Sequence, residues 1–128
     1  NGSSLEGLEV IHCADIECTS GTSTTLEYTA SGSLYTSITI GADGLGLISY
    51  YDDSASTEND LKVAHCSNTT CTSAMIFTLD TVGNVGQYSA ITIGADGLGL
   101  ITYQDTTNSD LKVLHCSNSF CSPYFRRR

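Results

Sequence analysis

The feature that most restricts this chain is that it repeats itself. Residues 38–48 read ITIGADGLGLI, and residues 91–101 read the same eleven residues 53 positions later. Leu8-Glu9-Val10-Ile11-His12-Cys13 returns as Leu61-Lys62-Val63-Ala64-His65-Cys66, again 53 later, and then as Leu111-Lys112-Val113-Leu114-His115-Cys116, now 50 later. The three missing residues fall in the polar stretch that corresponds to Asp52–Asp60, where a shorter loop is tolerated. The 128 residues therefore form one domain of about two and a half copies of a unit of about fifty residues: a partial unit over 1–36, a complete one over 37–89 and a partial one over 90–128. Periods of this length belong to solenoids, propellers and arrays.

Hydropathy within one unit has the period of strands. Ser37-Ile38-Thr39-Ile40 alternates, and Gly41-Ala42-Asp43-Gly44 breaks it. Leu45–Tyr51 is apolar and aromatic, Leu61–Cys66 alternates again, and Ala74–Leu79 is a fourth run before the loop of Thr81–Gly86. Turn formers separate these β-branched and aromatic stretches, and no helical period persists over even ten residues. Four antiparallel strands per unit of this size predict an all-β, β-propeller-like fold. Propellers close with four to eight blades, so two and a half units leave two apolar flanks. The expectation is self-association into a closed ring by a head-to-tail contact, with the partial unit at one end complementing that at the other. The alternative is that these units are a piece of a longer propeller.

The run GADGLGLISYYD followed by DLKVAHCSNTTC resembles a repeat of bacterial secreted β-propeller-like proteins, in which a strand–Asp-Gly–strand hairpin leads to a cysteine-stapled hairpin. The resemblance covers nearly the whole chain and implies a propeller-like fold and an extracytoplasmic location. The Ser-x-Asp-x-Gly-x-x-Trp box of sialidase-type propellers is not matched, and the chain has no Trp.

Each unit carries Cys-x4-Cys, and this spacing pairs Cys13 with Cys18, Cys66 with Cys71 and Cys116 with Cys121. Each pair brackets four residues, rich in turn formers, which is expected to place the cysteines face to face across a hairpin, within reach of a disulfide. Each bridge contributes about 2 kcal/mol by loop entropy and implies an oxidising compartment, extracellular or periplasmic. The rival reading is a metal site using the adjacent His12, His65 or His115. It supplies only three ligands per unit, and neighbouring strand positions face opposite ways. The histidines share a face with Leu and Val, and repeated identically they read as packing groups bonded to the next unit rather than as catalysts.

Charge narrows the partners. The chain has 14 acidic and 5 basic residues, a net charge of −9 that becomes −12 when Arg126–Arg128 are set aside. Such a body repels phosphate backbones and anionic lipid, which disfavours nucleic acid and membrane surfaces. No apolar run is long enough to span a bilayer, and the N-terminus lacks the pattern of a signal peptide, so any such segment is expected to have been removed.

The acids cluster in loops. Asp52, Asp53, Glu58 and Asp60 lie in one unit, and Asp105 and Asp110 in the next. Hard oxygen ligands at this density make Asp52, Asp60, Asp105 and Asp110 weak calcium candidates, but no EF-hand spacing is present and turn chemistry accounts for them. No metal or other cofactor is otherwise expected. Asp43 and Asp96 sit before Gly in the hairpin turns. No nucleophile elbow, phosphate loop or His-Glu-x-x-His occurs. Tyr50, Tyr51 and Tyr103, which follow the shared Leu-Ile-Ser/Thr run, and Tyr35 and Tyr88, which precede the shared Ile-Thr-Ile, are candidate sugar-stacking surfaces. Tyr50, Tyr51 and Tyr103 stand with Asp53 and Glu58 as candidate ligand-binding residues, and blade-to-blade packing is the tyrosines' competing role.

Function then divides three ways. The leading reading is a non-enzymatic extracellular recognition or scaffold module with equivalent shallow sites for a glycan or protein ligand. The second is a fragment or subunit of a propeller enzyme such as a glycoside hydrolase, with Asp53 and Glu58 as its acids. The third is a purely structural assembly module.

Overall fold

The computed structural model describes residues 6–29, 33–55 and 58–123. Among them are nine strands and no helix: β1 (Glu6–Cys13), β2 (Gly21–Thr29), β3 (Ser33–Ile40), β4 (Gly46–Ala55), β5 (Glu58–Cys66), β6 (Ala74–Asp80), β7 (Val85–Ile93), β8 (Gly99–Asp105) and β9 (Asp110–His115). They form three antiparallel meanders: β1-β2, β3-β4-β5-β6 and β7-β8-β9. By the internal repeat, β1 and β2 are the counterparts of β5 and β6, and β7, β8 and β9 those of β3, β4 and β5. The third-strand sequence is thus present at both ends.

The shared ITIGADGLGLI segment builds the same hairpin twice. Gly44 and Gly97 both adopt φ +81°, the left-handed conformation in which a Cβ is costly. The Gly44 amide donates to the Gly41 carbonyl at 2.9 Å, and the Gly41 amide donates to the Leu45 carbonyl at 2.8 Å. The Asp-Gly pair therefore lies inside a five-residue connection, with Ile40 opposite Gly46, rather than forming a minimal two-residue turn. Gly46 and Gly99 are fixed for another reason: a Cβ there would lie 2.9 Å from Cys66 Sγ and 2.8 Å from Cys116 Sγ, respectively.

All three expected disulfides are present, Cys13–Cys18, Cys66–Cys71 and Cys116–Cys121. Their geometry differs from a cross-strand staple. Cys66 ends β5 opposite Ala74, whereas Cys71 sits in the connection at φ 56° with its amide bonded to the Asn68 carbonyl. The bridge ties the strand end to its own tight turn. The connection is too long for its second cysteine to reach the partner strand's register.

The sheets are stacked in chain order. One core cluster joins the first two sheets through Leu8, Ile48, Tyr50, Ala64, Cys66 and Cys71, with Val10, Leu26 and Ile76 against it. The other joins the second and third, around Leu47, Leu61, Val63, Val85, Ile91 and Ile101, with β7 packed across β3, β4 and β5. The middle sheet has a neighbour on each face, although β3 is left partly uncovered on the side of the two-stranded first sheet, and the outer two have a neighbour on one face. Identical sequence positions record the difference. Leu61 and Val63 are 0% exposed, while their counterparts Leu111 and Val113 on the third sheet are 81% and 62% exposed. At the other flank Ile91 is 7% exposed and its counterpart Ile38 is 55% exposed.

No helix among the described residues is long and apolar enough to cross a membrane.

Candidate functional site

The most organised polar chemistry lies between the sheets, where one arrangement occurs twice. On the last strand of one sheet stands a carboxylate, Glu27 on β2 or Asp80 on β6. On the second strand of the next sheet stands a tyrosine, Tyr50 or Tyr103, and on the third strand a lysine, Lys62 or Lys112. The Tyr50 hydroxyl donates to the two Glu27 carboxylate oxygens at 2.9 and 3.2 Å, and Lys62 Nζ lies 3.1 Å from Glu27 Oε1. In the second copy the Tyr103 hydroxyl donates to Asp80 Oδ2 at 2.7 Å and Lys112 Nζ donates to the same oxygen at 2.8 Å. Register makes this possible: Tyr50 is opposite Lys62, and Tyr103 opposite Lys112, so both reach one carboxylate from the same face. Asp52 Oδ2 adds a second acceptor to Lys62 at 2.6 Å.

The electrostatics are those of closed ion pairs. Burial alone would lower the Lys62 pKa, but the bonds to Asp52 and Glu27 outweigh it and hold the ammonium above its ordinary value. Burial would raise Asp80, and Lys112, Tyr103 and the Val82 amide together bring its carboxyl below the usual range. Burial, then the neighbouring carboxylates, push the Tyr50 and Tyr103 hydroxyls upward, so both remain protonated donors. Such a clasp holds two sheets in register.

A second constellation also repeats. His65 Nε2 lies 2.7 Å from Asp43 Oδ2, and His115 Nε2 lies 2.6 Å from Asp96 Oδ2. The histidines therefore pair with the hairpin turn of their own sheet, not with the next one as sequence reasoning expects, because the turn between the first two strands folds back over the end of the third. His65 does meet the following segment through its ring, whose centroid lies 4.7 Å from that of Phe120. The Leu45 and Leu98 amides bond Asp43 and Asp96. Asp43 is pushed up by burial but held low on balance by Leu45 and His65, and Asp96 is held low by Leu98 and His115. Among the described residues no hydroxyl or thiol is bonded to either ring, so the pairs lack the nucleophile of a triad.

The sequence candidates fall as follows. Tyr50, Tyr51 and Tyr103 are buried. The Tyr51 hydroxyl donates to Asn59 Oδ1 at 3.1 Å and Asn84 Oδ1 at 3.0 Å, so all three rings pack between sheets rather than facing a ligand. Asp53 is half-buried on β4. The Glu58 side chain lies outside the described residues, as do Arg126–Arg128. Asp52 and Asp60 are buried, and Asp60 stands opposite Asp52 in the register. Asp105 is buried and Asp110 exposed. The Asp105 carboxyl is held low first by the Asn108 side chain, which donates at 2.8 Å, and also by the Asn108 amide. Among the described residues no group of three or more His, Cys, Asp or Glu converges on one point.

Three described tyrosines are exposed, Tyr28, Tyr35 and Tyr88, and the last two stand together. Tyr35 and Tyr88 both adopt positive φ (58° and 55°), and their ring centroids are 4.3 Å apart. Each lies where the first strand slips register against the second. The Ser89 hydroxyl, itself 2.9 Å from Ser49 Oγ, donates to the Tyr35 carbonyl and fixes the bulge.

Sequence reasoning passes over Glu27 and Asp80, the centres of the clasps. The signal was present: they are acids 53 positions apart, as are Tyr50 and Tyr103. Comparison with protein families, with characterised proteins and with solved structures finds no match to this chain.

Proposed function

We propose that the chain is a non-enzymatic, extracytoplasmic scaffold or recognition module of β-propeller-like construction, in which the three sheets are successive blades and self-association continues the stack toward a closed ring. The observation that carries this reading is the pair of bare flanks. Leu111 and Val113 are exposed on the last sheet, yet the same positions are fully buried one sheet earlier, and such patches mark an interface. The two equivalent clasps support it further, since one interface repeated by one operation generates a ring when the rotation closes. The third-strand sequence occurs at both ends, so at a joint between copies β9 and the next β1 compete for one place. Three disulfides are consistent with an oxidising compartment. The test is sedimentation over a range of concentrations with the disulfides intact. A single closed oligomer is expected, and a stable monomer at high concentration rules the ring out.

A glycan ligand is favoured by one feature, the exposed Tyr35–Tyr88 pair. Holding two tyrosines in left-handed backbone costs about 1–3 kcal/mol each, and rings presented this way suit the apolar face of a sugar. The chain has no Trp, so intrinsic fluorescence reports tyrosine directly. Titration with neutral oligosaccharides should change it saturably, and Tyr88→Ala should abolish the change.

A further inference from the structure

Among the described residues the N-terminal sheet has two strands, and the edge of β1 away from β2 is unpaired. An open edge of eight residues is a ready template for another strand. Beside it runs an apolar groove of about 240 Å³ lined by Leu8, Val10, Ile11, Ser37, Ile38 and Ile48. It continues into a second hollow of about 180 Å³ that reaches His12 and Ile40.

The internal repeat states what fills this place elsewhere in the same molecule. Leu8, Val10 and His12 are the counterparts of Leu61, Val63 and His65. On β5 those three stand opposite Tyr51, Ser49 and Leu47 of β4, and on β9 their third copy stands opposite Gln104, Thr102 and Leu100 of β8. Both occupied edges thus hold the second strand of the same hairpin. That hairpin also covers the following sheet, which is why Ile91 is buried whereas Ile38 lies bare. A third difference points the same way. His65 and His115 each hold the Asp of an Ala-Asp-Gly turn, while His12 is exposed and no carboxylate among the described residues reaches it. The missing occupant is apolar on one face, extended, and carries one acid at its turn.

We infer that the β1 edge and the adjoining face of β3 form a docking site for a β-hairpin of this repeat's own kind, ITIGADGLGLI with its flanks, which adds antiparallel to β1 and sets its turn Asp against His12. This rests on reading the sheets as repeated modules, but it is independent of whether the chain forms a ring by itself.

The probe is a synthetic peptide of residues 36–52, added to the full disulfide-bonded chain and followed by calorimetry and by backbone NMR of the protein. Binding is expected to be saturable and to shift resonances of β1 and β3, including the His12 ring. A peptide carrying Asp43→Asn should bind about five-fold more weakly, the scale of one partly exposed charged pair. Ile38→Ser in the protein should weaken binding at least ten-fold by removing one apolar contact; Ile38 is more than half exposed, so the fold should survive the change. If the chain is oligomeric, excess peptide should dissociate it. Failure of the peptide either to bind the monomer or to dissociate the oligomer overturns the inference, as does binding mapped to Leu111 and Val113. A monomer that binds the peptide refutes the self-assembled ring and leaves this site standing.

Discussion

Removing the Tyr50 hydroxyl while keeping its ring isolates the clasp from the packing around it. The ring is fully buried, and its hydroxyl donates to both oxygens of Glu27. Tyr50→Phe preserves the buried carbon surface and deletes one bond to a charged acceptor. Bonds to charged groups are worth about 1.5–3 kcal/mol, and Glu27 keeps Lys62 as a partner, which argues for about 2 kcal/mol. For a chain of this size that is roughly 6–10 °C in Tm. Tyr50→Ala should cost about 3–5 kcal/mol, because a buried aromatic is lost as well. Urea unfolding of the oxidised protein, with Glu27→Gln completing a double-mutant cycle, separates the two contributions. The coupling between positions 50 and 27 should be about 1–2 kcal/mol. Tyr103→Phe should repeat the Tyr50→Phe result, since its hydroxyl meets Asp80 at 2.7 Å. A loss below about 0.5 kcal/mol for Tyr50→Phe, the level of an indifferent surface change, or coupling near zero would refute the clasp as the bond between sheets.

The other expectations concern acid, thiols and one glycine. Asp80 has a depressed pKa in the folded state, so its contribution is present above the unfolded value near 4 and is lost as pH falls through the lower folded value. Asp80→Asn should therefore be destabilised relative to the native chain at pH 7, and the gap in urea midpoint should close by about pH 2. Thiol titration under denaturing conditions should find none before reduction and six after; on mild reduction of the folded protein Cys13–Cys18 should open first, because Cys18 is exposed whereas Cys66, Cys71, Cys116 and Cys121 are buried, and peptide mapping after alkylation reads the order. Gly46→Ala should lower stability by about 1–3 kcal/mol, since the new methyl would sit 2.9 Å from Cys66 Sγ. The same substitution in the double variant Cys66→Ser, Cys71→Ser should cost less, which thermal melts of the four proteins will show.

Strands, their order within a unit and the cysteine pairs were legible because they depend on local pattern: alternation in Ser37–Ile40, the break at Ala42-Asp43-Gly44, and a spacing repeated three times. Tyr50 and Tyr103 were not legible as buried donors, because a tyrosine's role depends on what stands across the interface. Their acceptors, Glu27 and Asp80, lie 23 positions upstream in the chain and on another sheet. The histidines show the same limit. His65 and Asp43 are joined by a turn that folds back over its own sheet, and alternation along one strand carries no information about that return. Tyr35 and Tyr88 were legible as repeated tyrosines and candidate stacking surfaces, but not as residues in left-handed backbone, since a positive φ in tyrosine leaves no mark on composition or period. Cysteine placement was legible as pairing but not as geometry, for the second cysteine lies inside the turn and not on the strand.

Burial in this molecule is decided by position in the stack as much as by residue type. Leu61 and Leu111 occupy the same place in the same repeat, yet one is sealed and the other open. A chain read unit by unit assigns both to a core. The physical reason is that a four-stranded meander has two apolar faces and cannot hide either alone, so each sheet borrows a cover from its neighbour. The clasps follow the same logic, for Glu27 is bonded by the sheet after it and not by its own. Stability at any one interface thus depends on both sheets that meet there, and at the two flanks the same apolar positions lie exposed, Leu111 and Val113 on one and Ile38 on the other.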